Sequence, residues 1–166
     1  MIVLSIDPGE HTGIAVLEDE VNGRIAIVRH EAIRISSRKG AIRLRDVFDE
    51  IHAAYPELKD MVIENQYPRP GRSYSSIFGL AANRGKVELL AAIHGLTIHR
   101  VKPDDWKRPV LAALGCSWRA SPMRKIVALR RHFESTYPHW LSEPPSSDVI
   151  DSICMGRWWM NPTLYL

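Results

Sequence analysis

Only two cysteines, Cys116 and Cys154, occur in 166 residues. They are too few for a disulfide framework and lack metal-ligand spacing, so both read as reduced thiols, one in a turn and one on an apolar helix face. No apolar run approaches the ~18 residues of a membrane span, and no basic segment precedes the first apolar run. The expected location is therefore the cytoplasm, without a membrane partner. The seven histidines show no HxxxH or comparable spacing, and His11, His94, His99 and His139 receive no role. Repeats, low-complexity tracts and linkers are also lacking, which leaves one domain over residues 1–166. A two-lobed ATPase would need about twice that length. Acids are missing from one long stretch. Between Trp106 and Phe133 there is none, against Lys107, Arg108, Arg119, Arg124, Lys125, Arg130 and Arg131. The net charge of +3 hides this asymmetry. A solvated helix face would explain two or three of these cations; the absence of every acid favours a surface that tracks phosphates.

What is present begins with Met1 to Gly13, MIVLSIDPGEHTG. Ile2, Val3, Leu4 and Ile6 suit a central strand buried on both faces, and Asp7 ends it. A carboxylate at the tip of a buried strand is costly unless a cation or donors meet it. Pro8 and Gly9 turn the chain into a second strand at Thr12 to Leu17, and Arg24 to Ile35 reads as a third. Leu44, Val47, Phe48, Ile51 and Tyr55 then recur at helical spacing. Met61-Val62-Ile63-Glu64 is a fourth short strand ending in a carboxylate. If it lies parallel to the first, Glu64 shares an edge with Asp7.

Asn65 to Tyr74, NQYPRPGRSY, is a proline-rich loop in which Tyr67, Arg69 and Arg72 interleave aromatic and basic character. It suits either a solvated connection or contact with nucleic acid. An apolar helix to His94 follows, capped by Ser75 or Ser76, in which Gly79, Ala82 and Gly85 would admit another backbone. Leu96 to Val101 is the fifth strand. Pro103 starts one helical turn, Pro109 opens another stretch, and Ser121-Pro122 starts a helix with Met123, Ile126, Val127 and Phe133 inward. The last helix, capped by Ser146 or Ser147, carries Asp148 and Asp151 on one face. Acids in a first turn also favour the helix dipole without any catalytic role. The expected fold is α/β: a mixed five-stranded sheet, three antiparallel strands then two parallel, flanked by helices.

Asp7, Glu64, Asp148 and Asp151 thus converge on one sheet edge. Mutual repulsion among four carboxylates calls for hard divalent cations, and all-oxygen ligands select Mg²⁺ or Mn²⁺ over zinc. Two such ions about 4 Å apart can activate a water and stabilise the leaving oxygen of a phosphodiester.

IDPG followed by TG, a strand ending IEN with an aromatic shortly after, the Trp106-Lys107 stretch and a closing SDVIDSI helix together resemble the RuvC family of Holliday junction resolvases in the RNase H superfamily. The resemblance implies an RNase H-like fold and a metal-dependent endonuclease that acts as a dimer on four-way DNA junctions, with no nucleotide cofactor. It implies the metal quartet Asp7, Glu64, Asp148 and Asp151, with two Mg²⁺ and Mn²⁺ able to substitute. It also implies Tyr67 at the junction and Lys107 near the scissile phosphate. A further basic residue could be Arg119, Arg124 or Lys125. The proline- and arginine-rich loop and the apolar tail from Trp158 are closer to phage-type resolvases. Other readings are a relative cutting RNA or flaps, a junction binder that no longer cuts, and an ATP-binding module.

Overall fold

The computed structural model describes residues 1–20, 24–65, 73–117, 119–137 and 145–165. Tyr67, Arg69 and Arg72 lie outside the described residues. Five strands, β1 (Ile2–Asp7), β2 (His11–Asp19), β3 (Ile25–Arg34), β4 (Asp60–Glu64) and β5 (Thr97–Val101), form one sheet in the order β3-β2-β1-β4-β5. β2 pairs antiparallel with β1 and β3, whereas β4 runs parallel to both β1 and β5. The mixed sheet is the one expected, and β1 is its central strand. Around it lie α1 (Arg38–Ala54), α2 (Tyr74–Ile93), α3 (Pro103–Ala113), α4 (Pro122–Thr136) and α5 (Ser147–Met160), with a 3₁₀ turn at Pro162–Tyr165. No helix among the described residues is long and apolar enough to cross a membrane.

The strand period of two decides where the acids go. Leu4 and Ile6 of β1 and Met61 and Ile63 of β4 pack with Leu44, Phe48 and Ile51 of α1 and Val87 of α2. Val3 and Val62 point the other way, into a core with Trp106 of α3, Phe133 of α4 and Ile150 and Ile153 of α5. Alternation places residues 3, 5 and 7 on one face, as it does 62 and 64. Asp7 and Glu64 therefore emerge on the side of α5.

That helix lies flat on β1 and β2 because small residues let it. Ser5 Oγ donates to the Ser152 carbonyl over 2.6 Å. A Cβ added at Gly156 would fall 2.1 Å from Leu17, and one at Gly13 only 2.0 Å from the carbonyl oxygen of Asp148. Gly13 is also the register partner of Asp7. Backbone contact across Gly13 thus ties the start of α5 to the tip of β1.

Several local expectations need correction. Ser73, not Ser75 or Ser76, caps α2, accepting from Ser76 N; Ser146 caps α5. Pro109 lies inside a single α3 rather than opening a second helix, and the one carbonyl it deprives of a donor belongs to exposed Asp105. A helix offers its sheet only one stripe. In α2 that stripe is Asn83, Val87 and Ala91, so Phe78, Leu89 and Ile93 are 72%, 63% and 67% exposed. Within this chain Gly79 and Gly85 face open space. In α4 the inward residues are Leu129 and Phe133, while Met123, Ile126 and Val127 are exposed.

The Gly13 contact is directly testable. Gly13→Ala should lower stability by about 1 to 3 kcal/mol, the usual cost of overpacking, since the clash is with backbone that cannot swing aside. Thermal melting checks it; an unchanged melting temperature would show that α5 does not approach β2 this closely.

Candidate active site

Three elements deliver the acids. β1 and β4 end side by side, with Ile6 opposite Ile63, so the following residues, Asp7 and Glu64, are neighbours at the carboxyl edge. They are 6% and 3% exposed. Asp148 and Asp151 arrive from the start of α5. Asp7 feels the charges of Glu64, Asp151 and Asp148 together with that of Lys107, so all four acids share one electrostatic neighbourhood.

α3 supplies the positive charge. It starts just beyond β5, the neighbour of β4, and so at the same edge of the sheet. Lys107 Nζ lies 3.1 Å from Glu64 Oε1 and 2.8 Å from Asp151 Oδ2, bridging strand and helix. The preceding Trp106 donates its indole N–H to the same Glu64 oxygen at 3.1 Å. α2 braces the other side. Asn83 Nδ2 donates to the Gly9 carbonyl over 3.3 Å and Arg84 to Asn65 Oδ1 over 2.6 Å, fixing the turn after Asp7 and the residue after Glu64.

The electrostatics follow from burial. Desolvation, reinforced by Glu64, holds the Asp7 carboxyl well above the usual carboxylate range, and Lys107 offsets this only in part. Burial also raises Asp151, with Lys107 pulling it back. For Lys107 the balance is reversed: burial alone would lower it, but Asp151, Glu64 and Asp7 together hold the ammonium above its ordinary value. Cys154, wholly buried behind the site, is pushed up to about 12 and is no nucleophile at neutral pH.

The donor set fits a hard divalent cation by its chemistry: four carboxylates, two of them nearly inaccessible to water, with no sulfur or imidazole among them. Among the described residues no three such side chains stand close enough to enclose an ion as they are. The Lys107 ammonium takes one positive charge's place between Glu64 and Asp151.

The basic candidates separate. Lys125 shares a hollow of about 230 Å³ with Lys107, Asp151, Leu111, Ile126 and Leu129. Arg124 lines a different groove of about 490 Å³ with Arg131, Met123 and Cys116. Arg119, in the turn before α4, is exposed. Trp106 and Gly13 were not marked as site residues by the sequence. The signal for Trp106 was its place beside Lys107; for Gly13, its place opposite Asp7.

Comparison with known proteins gives a consistent result. A family described as crossover junction endodeoxyribonuclease RuvC matches residues 3–119, a span that holds Asp7, Glu64 and Lys107 but stops short of Asp148 and Asp151. The crossover junction endodeoxyribonuclease RuvC of Heliobacterium modesticaldum is 26% identical over 113 residues, 67% of this chain and 69% of that protein. Among solved structures, Thermus thermophilus RuvC in complex with a Holliday junction substrate aligns with a TM-score of 0.66 at 18% identity, covering 96% of each chain. The yeast mitochondrial Holliday junction resolvase gives 0.63 at 13% identity, over 95% of this chain and 77% of that one. These two likenesses establish the shared fold, α5 included.

A carboxyl raised by folding costs nothing below its ordinary range and destabilises as pH climbs through its folded value. In chelator at neutral pH, Asp7→Asn should therefore melt above wild type, by about 2 to 4 °C for each kcal/mol relieved. The gap should close as pH falls toward about 4, where the unfolded chain is protonated too. A variant melting below wild type under those conditions would show that the fold already compensates this charge.

Proposed function

The chain belongs to the RuvC family of crossover junction endodeoxyribonucleases, and from that premise we propose that it hydrolyses phosphodiester bonds in branched DNA, four-way junctions above all. The observation that carries the proposal is the convergence of Asp7, Glu64, Asp148 and Asp151 on one sheet edge with Lys107 among them. A protein that only binds DNA gains nothing from mutually repelling acids beside a polyanion.

Asp7, Glu64, Asp148 and Asp151 would hold two Mg²⁺, with Mn²⁺ able to substitute. Bound there, such ions supply an activated water and neutralise charge on the leaving oxygen. The chain's own part is positional. Strand tips and the Gly13 contact fix where the carboxylates stand. Lys107 offers a half-buried ammonium, held charged by Asp151, Glu64 and Asp7, at the place where a phosphate approaching the acids gathers negative charge. Lys125, in the same hollow, is the better placed of the remaining basic candidates to meet a flanking phosphate.

Charge elsewhere supports a polyanion on this side. Across the sheet two arginines are neutralised within the fold: Arg43 bonds Glu31 and Glu50, and Arg29 bonds Glu50. On α4 and the turn before it, Arg119, Arg124, Arg130 and Arg131 are exposed, and none forms an ion pair among the described residues. Incubation with labelled four-way, flap, plain duplex and RNA-containing substrates tests the reading. Mg²⁺-dependent, chelator-sensitive cutting of the four-way junction is expected, with binding that weakens steeply in salt; Arg119→Ala with Arg124→Ala should flatten the salt slope by about 0.9 for each phosphate no longer neutralised. Preference for flaps or RNA would reassign the substrate, and tight junction binding without cutting would make the protein a binder.

The second copy expected of a resolvase has a surface to meet. Phe78, Ala82, Gly85, Leu89 and Ala92 recur on α2 at alternating spacings of four and three, all exposed, which is the seam of two packed helices. Gly85 at its centre faces open space, and such a gap lets two helix backbones approach. We propose that α2 packs against its counterpart in a homodimer. Leu89→Glu should halve the mass measured by sedimentation equilibrium at micromolar concentration; an unchanged dimer mass would place the interface elsewhere.

A further inference from the structure

We infer that Trp106 is a positioning residue of the metal site: its indole N–H pins the Glu64 carboxylate while its ring face holds the Lys107 ammonium. The inference deepens the proposed function and rests on its assignment of Glu64 as a metal ligand.

Trp106 is 1% exposed and locked in the core that joins the sheet to α3, α4 and α5. A buried indole needs an acceptor for its N–H. Here the acceptor is Glu64 Oε1, itself 42 residues distant in sequence and at the tip of β4. Glutamate is a long side chain with considerable rotamer freedom, which an ion site must remove. A charge-assisted bond from a ring that cannot move does this, and it occupies only one of the carboxylate's roughly four acceptor positions. Lys107 Nζ meets the same oxygen at 3.1 Å, and the other positions stay available to a cation.

The same ring serves Lys107, whose Nζ lies 4.9 Å from the Trp106 centroid. The ring face attracts the ammonium without offering it a proton acceptor. Lys107 thus keeps its place near Glu64 and Asp151 by two kinds of contact, only one of which a bound ion would compete for. Because Trp106 and Lys107 are consecutive on α3, one helix sets both the orientation of an acid and the seat of the cation beside it. Partners that orient metal ligands typically contribute a 10- to 100-fold factor in metal affinity.

Trp106→Phe removes the N–H and keeps an aromatic face. Mg²⁺ titrations of melting temperature and of junction cleavage, each fitted for the midpoint concentration, are compared for wild type, Trp106→Phe and Val110→Ala. Val110 lies in the same helix and the same core, and its truncation reports destabilisation alone. The Phe variant should need about 10- to 100-fold more Mg²⁺ in both titrations, with junction affinity in chelator unchanged. Val110→Ala should lower the melting temperature without moving either midpoint. Equal midpoints in wild type and Trp106→Phe would overturn the inference and leave Trp106 as core packing. If Mg²⁺ does not raise the wild-type melting temperature at all, the assignment of the acids as a metal site fails instead. Should the Phe variant not fold, ¹⁵N-labelled tryptophan in the wild type carries the test. Of the five indole N–H resonances, one must move saturably with Mg²⁺ and lose that response in Glu64→Gln; five unresponsive indoles would overturn the inference equally.

Discussion

Two carboxylates buried side by side at the ends of parallel strands are the constraint on which the rest of this structure depends. Asp7 and Glu64 cannot be moved apart, because the register of β1 on β4 fixes their backbones and the sheet period fixes their face. Their desolvation is costly, and Lys107 offsets only part of that cost for Asp7. Everything near them answers to this: a lysine held charged against burial, an indole aimed at a carboxylate, and a helix brought in over Gly13 so that two more acids face the same edge. Such an arrangement trades stability for a place where positive charge is strongly wanted.

The opposite distribution holds across the sheet. There Arg29, Arg43, Glu31 and Glu50 close a network among themselves, so these charges are met within the fold. The α4 side keeps its arginines exposed beside the acidic edge, so a DNA backbone would be attracted broadly by one surface and met by acids at one point. This separation of attraction from chemistry suits a structure-selective nuclease, since phosphate contacts position a substrate without reading its sequence.

Much of this was legible in the sequence, and the reason is local. A short β-branched run ending in an acid, twice, identifies strand tips, because the apolar run fixes the strand and the acid fixes its end. The helix carrying Asp148 and Asp151 could be placed against the sheet because it is apolar nearly all round. Helix faces were less legible. α2 reads as an apolar helix with little polar surface, and composition cannot tell a stripe facing the sheet from one facing a second chain; only the positions of Asn83, Val87 and Ala91 against the sheet separate them. The same ambiguity misdirected Met123, Ile126 and Val127. The bond from Trp106 to Glu64 joins residues far apart in the chain, and no spacing rule encodes it.

The central claim is that the edge formed by Asp7, Glu64, Asp148 and Asp151 binds divalent cations for phosphodiester hydrolysis. Anomalous diffraction from crystals soaked in Mn²⁺ tests it most directly. The account predicts anomalous density among these four carboxylates, with Lys107 Nζ giving up its carboxylate contacts while staying over the Trp106 ring. Anomalous density only at other acids, with Lys107 still bridging Glu64 and Asp151, would contradict it.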